Sequence, residues 1–126
     1  MPITMRIDKK LKIVHTTVEG QVSVDEIIDK LTDFMEQPDF VSGLNGIADL
    51  RNFELNTTPL DIERLAKLLI DYRDKIGPSK AAVVISRQVT FGLTRMFQAF
   101  AEQSSIETAI FEDMDEALRW LGIEEK

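Results

Sequence analysis

The stretch "GIADLRNFELNTTPLDIERLAKLLIDYRDKIGPSKAAVVIS", residues 46–86, decides the fold. "GIADL" (46–50) reads as a short apolar strand, and "RNFELNTT" as an irregular loop leading into a helix. Pro59 falls in the first turn of that helix, where a missing N–H leaves no hydrogen bond unmade. Ile62, Leu65, Ala66, Leu69, Tyr72 and Ile76 then recur at helical spacing and form one apolar stripe. Lys75 near the carboxyl end suits the helix dipole, and Gly77-Pro78 stops the helix. "AAVVIS" (81–86) is apolar without alternation, the pattern of a strand buried on both faces.

The flanking sequence extends this strand–helix–strand unit. Met5 to Ile7, the turn Asp8-Lys9-Lys10 and Leu11 to Val18 read as a β-hairpin that ends at Gly20. Ser23 starts a helix, with Glu26 three residues on as in a capping box. Its stripe is Val24, Ile27, Ile28, Leu31, Phe34 and Met35, and Pro38 ends it. Gly43 and Gly46 bracket the next turn. Beyond "AAVVIS", Thr90 to Ser104 reads as a helix striped by Leu93, Met96, Phe97 and Phe100. "TAIF" (108–111) is a short strand, and Asp113 to Gly122 a last helix carried by Met114, Ala117, Leu118 and Leu121. The order ββαβαβαβα predicts an α/β fold with a mixed, mostly parallel sheet packed with helices and right-handed crossovers. No repeat, linker or low-complexity segment interrupts it, so residues 1–126 are expected to form one domain.

Composition narrows the function. Of the 126 residues, 44% are hydrophobic and 29% charged, the balance of a chain that builds a core. There is no cysteine, which removes disulfides, thiol nucleophiles and cysteine metal sites. The formal charge of −7 disfavours nucleic acid and anionic lipid surfaces, which need clustered Lys and Arg. No signal-like opening or long apolar run is present, so the protein is expected to be cytoplasmic and not integral to a membrane.

Catalytic signatures are missing. The one histidine, His15, falls mid-strand, and no G-x-S-x-G elbow accompanies it. The phosphate-cradling patterns G-x-x-x-x-G-K-[ST] and G-x-G-x-x-G do not occur. Asp113, Asp115 and Glu116 suit a helix N-terminus better than a metal site. No metal and no cofactor is expected, and the chain reads as non-enzymatic.

Two loops remain as candidate sites, because ligands of open α/β sheets meet the carboxyl ends of parallel strands. One follows "GIADL" and offers Asp49, Arg51, Asn56, Thr57 and Thr58. The other follows "AAVVIS" and offers Ser86, Arg87 and Thr90. Together they could hold an anion or a phosphorylated side chain. The alternative is that Arg51 and Arg87 pair with nearby acids on an ordinary surface. Thr58, directly before Pro59 and three residues from Asp61, fits a helix cap, which leaves Thr57 as the candidate regulatory hydroxyl. Val89, Phe91, Leu68 and Trp120 fall beside the helical stripes. Either wide core faces absorb them, or they form a partner surface or an apolar groove.

The element order, with "VEGQVSVDEI" (18–27), "GIADLRNFEL" (46–55) and "FEDMDEALRWLG" (111–122), resembles the SpoIIAA-like group of small bacterial proteins. That group is similar to the STAS domains of anti-sigma-factor antagonists and is also described as STAS or lipid-binding SEC14-like. The resemblance covers nearly the whole chain. It implies a β/α superhelix with helices packed on a mixed sheet, acting as an interaction module. In the antagonists a Ser or Thr directly after the strand matching "GIADL" is phosphorylated. Here Asp49 is followed by Leu50, Arg51 and Asn52, so the carry-over stops at Asp49. The expectation is a regulatory or protein-interaction domain, a homodimer that binds itself or another protein. The alternative is a small-molecule or lipid-binding module that uses apolar residues around Phe91, Phe97 and Phe100, with Arg51 or Arg87 for a polar or anionic head.

Overall fold

The computed structural model describes residues 2–54, 58–86, 95–99 and 101–123. Its first two strands, β1 (Ile3–Asp8) and β2 (Ile13–Val18), pair antiparallel from Ile3↔Val18 to Asp8↔Ile13. The Asp8 carboxylate accepts the Lys10 and Leu11 backbone N–H groups at 3.0 Å each, which closes the turn. Lys12 leaves that turn at φ 58°, so β2 begins at Ile13 rather than at Leu11.

A short strand β3 (Gly20–Gln21) precedes helix α1 (Val24–Met35). Ser23 caps α1 by accepting the Glu26 N–H at 3.1 Å. The Glu26 carboxylate receives the Ser23 hydroxyl at 3.3 Å rather than the Ser23 backbone N–H, so the expected capping box is half formed.

Strand β4 (Asn45–Asp49) carries the "GIADL" segment. The following residues are not wholly irregular: Phe53–Glu54 forms β5, which pairs parallel with β3. Phe53 is buried with Ile3, Val18 and Val22 and anchors that strap. Helix α2 (Pro59–Asp71) stops at Tyr72, and a short α3 (Arg73–Ile76) follows, where the apolar spacing predicts one continuous helix. Tyr72 leaves helical geometry at φ −97°, ψ 11° and donates its hydroxyl to Glu36 at the end of α1, 2.8 Å away. That hydrogen bond, with the Lys75 ammonium behind it, holds the Glu36 carboxyl below its ordinary range.

Strand β6 (Ser79–Val84) has the predicted two-faced burial, with Ala82, Val83, Val84 and the following Ile85 all buried. Residues 95–99 are helical (α4). The chain then tightens into a 3₁₀ turn at Ala101–Gln103, so α-helix does not run to Ser104. Ser104 Oγ donates to the Ala101 carbonyl at 2.7 Å and accepts the Ile106 N–H at 3.1 Å, turning the chain into β7 (Ile106–Phe111). Asp113 caps the last helix, α5 (Met114–Trp120).

The main sheet has the order β1-β2-β4-β6-β7, and every pair except β1–β2 is parallel. Alternation along the strands divides its side chains between two faces. Ile13, Ile47, Ala82 and Val84 pack under α5 with Ala117 and Leu118. On the other face, Val14 packs with Phe34 of α1 and with Leu44.

Candidate functional site

The parallel pairing of β4 with β6 brings the starts of the two candidate loops to one end of the sheet, with Asp49 closing β4 and Ser86 just beyond β6. Leu50 N–H donates to the Val84 carbonyl at 2.8 Å and joins them. Arg51 doubles back on Asp49, its Nε and Nη2 each donating to a different carboxylate oxygen at 2.9 Å. The Arg51 backbone N–H adds a third bond at 3.1 Å. This fork holds the Asp49 carboxyl below the usual carboxylate range and raises Arg51. The guanidinium therefore already has its anion.

Thr58 is a cap. Its Oγ1 accepts the Asp61 N–H at 3.2 Å, and Asp61 Oδ2 accepts the Thr58 N–H at 3.4 Å, a complete capping box. Thr58→Ala is expected to cost about 1 kcal/mol, measured by urea unfolding; a loss indistinguishable from zero contradicts the capping role. Asp61 also accepts from Arg64 at 3.2 Å, and Arg64 reaches Asp25 of α1 at 2.6 Å, tying the two helices. Asn56, Thr57, Arg87, Val89, Thr90 and Phe91 lie outside the described residues.

Trp120 is half-buried against the α5 core, its ring 5.7 Å from Phe111 and under the Lys80 ammonium at 5.0 Å. His15 lies on the α5-side face of the sheet, opposite Arg6 in the hairpin register. Burial and then the Arg6 charge lower its pKa, with Asp8 acting the other way.

A feature not read in the sequence is an apolar cavity of about 250 Å³ between the sheet and helices α1, α2 and α4. Gly46 and Ala48 of β4 and Ala81 of β6 line it from the sheet side. Leu31 of α1, Leu65 and Leu69 of α2 and Phe97 of α4 line it from the helix side. The cause is local: the two central strands carry their smallest residues on the face that the helices cover. Among the described residues, a Cβ built on Gly46 would have only the Val14 carbonyl oxygen near it, at 3.9 Å. The described residues of the helices leave that space unfilled. Of the aromatic set expected to line an apolar groove, Phe97 does so; Phe91 and Phe100 lie outside the described residues.

Four polar residues reach the lining: Thr16, Asn45, Ser79 and Lys80. Asn45 Oδ1 accepts the Lys80 N–H at 2.8 Å. Lys80 alternates with Ser79 and Ala81, so its ammonium lies across the sheet at Trp120. The signal that could have exposed the cavity is the trio of small residues at strand positions facing the helices.

Among the described residues, no group of three His, Asp or Glu side chains is placed to hold a metal ion. No helix among them is long and apolar enough to cross a membrane.

No protein-family model matches the chain, and comparison with curated proteins finds no match. The solved structures do contain a similar fold, that of an uncharacterised DUF3478-family protein from Shewanella loihica PV-4 with a SpoIIAA-like fold. The similarity has a TM-score of 0.62 and covers 94% of this chain and 91% of that one, at 16% identity. The architecture described above, a mainly parallel mixed sheet packed against helices, is therefore SpoIIAA-like. At that identity the likeness extends to the fold alone.

Proposed function

We propose that this chain is a single, non-enzymatic binding domain that holds an apolar small molecule between its sheet and helices α1, α2 and α4. The observation that carries the reading is the 250 Å³ cavity. An engineered apolar cavity of roughly 150 Å³ stays dry and takes up benzene, so a void of this size and lining favours a hydrocarbon guest over water. The few polar groups among so many apolar ones match the usual make-up of a small-molecule pocket. The non-enzymatic part is supported by position. The single histidine lies on the opposite face, and the Thr16 and Ser79 hydroxyls have no hydrogen-bond partner among the described residues to act as a base.

Native mass spectrometry of the purified protein, with organic extraction, tests the reading. A co-purifying apolar mass, or a thermal shift with apolar compounds, is the expected result. A bare chain with no shift across such a panel contradicts it.

A second reading, a regulatory protein-interaction domain that works as a homodimer, is favoured by Leu60. This residue is 65% exposed on the first turn of α2, next to the loop that follows Asp49. An apolar side chain held in water at that position suits a docking contact.

A further inference from the structure

The lining of the cavity also restricts the charge of its occupant. A carboxylate or ammonium carried into an apolar site needs a partner charge there, because burying an unpaired ion is costly. Among the described lining residues, Lys80 is the one that ionises, and its ammonium lies over Trp120 on the far side of the sheet. Arg51, the candidate cation among the described residues at the carboxyl ends of the strands, is held by both oxygens of Asp49. Arg64 of α2 is likewise taken by Asp25 and Asp61, and Lys75 of α3 by Glu36.

Neutral hydrogen-bonding groups are present instead. Ser79, at the start of β6, has its hydroxyl unpartnered among the described residues and alternates onto the same face as Ala81 and Val83. Asn45, on the neighbouring strand, shares the α5-side face of Ile47, so its side chain lies across the sheet with that of Lys80. Its Oδ1 accepts the Lys80 N–H, and the amide offers nothing to the cavity. The Ser79 hydroxyl can donate or accept, so it suits one uncharged oxygen. Thr16, midway along β2, adds a second hydroxyl on the same face.

We infer that the cavity selects an uncharged, mainly hydrocarbon molecule with one hydroxyl or carbonyl group, held by Ser79, and discriminates against the matching carboxylate. This inference rests on the binding reading proposed above.

Calorimetric titration at pH 8 with 1-decanol, decane and decanoate separates the two claims. The expected result is decanol binding at least about tenfold more tightly than decanoate, since the acid must leave its charge unpaired. Ser79→Ala should lower decanol affinity several-fold and leave decane unchanged, with a melting curve confirming that the variant folds. Decanoate binding as tightly as decanol, or a Ser79→Ala variant with unchanged decanol affinity, overturns the inference while leaving the apolar site standing. If neither decanol nor decane binds, the binding reading itself fails.

Discussion

Gly77→Ala is expected to remove about 3 kcal/mol of folding stability and lower the melting temperature by roughly 10 °C. Gly77 is buried at φ 72°, ψ 176°, a conformation that residues with a side chain rarely adopt. That strain alone costs on the order of 1–3 kcal/mol. A Cβ there would also collide with Ser42 Oγ and stand 3.2 Å from the Gly43 nitrogen. The neighbouring chain has little room to withdraw, because Gly43 N–H donates to the Ile76 carbonyl at 2.8 Å. Overpacking of this kind adds roughly 1–3 kcal/mol. Adding Ser42→Ala should recover part of the loss, since it removes the colliding oxygen but not the backbone strain. Urea unfolding of the single and double variants gives both numbers; a Gly77→Ala cost well under 1 kcal/mol contradicts the account of this joint. The joint matters to the site, because it sets where β6 starts and so where Ser79 lies.

What was legible in the sequence was what depends on neighbours along the chain. The cap at Thr58 needs only Asp61 three residues away, and the structure builds it. The order of strands and helices follows from apolar spacing and from Gly and Pro stops, and the SpoIIAA-like resemblance read from that order matches the fold. The Arg51–Asp49 fork also lay within reach, being two residues apart, and it is the ordinary-surface alternative for Arg51.

What stayed hidden depends on residues brought together by folding. The break at Tyr72 does not interrupt the apolar spacing, because Leu69, Tyr72 and Ile76 remain in step on either side of it. The β3–β5 strap is two residues long on each side, too short for alternation to show. Trp120 falls beside its helical stripe, yet Phe111 and Lys80 from β7 and β6 enclose it. The cavity is the extreme case. Small residues at 46, 48 and 81 are individually ordinary in strands; only the position of α1 and α2 above them turns missing side chains into a void.

That origin gives a direct way to close the cavity from the sheet side. Gly46→Val adds three carbons at a position with ordinary strand geometry and an open space above it. A β-branched residue also suits a strand better than glycine. Filling an apolar void without a clash gains burial, so the variant should melt at or slightly above the temperature of the parent protein. Thr17→Val serves as the control, since it exchanges a hydroxyl for a methyl on the face of β2 away from the cavity.

The measurement that tests the central claim most directly is a fluorescence titration of the neutral apolar probe N-phenyl-1-naphthylamine into the parent protein, Gly46→Val and Thr17→Val. The account predicts saturable binding to the parent protein and to Thr17→Val, with affinity at least about tenfold lower in a fully folded Gly46→Val. Equal probe affinity in a folded Gly46→Val, or no binding to the parent protein, would contradict the assignment of this cavity as the functional site.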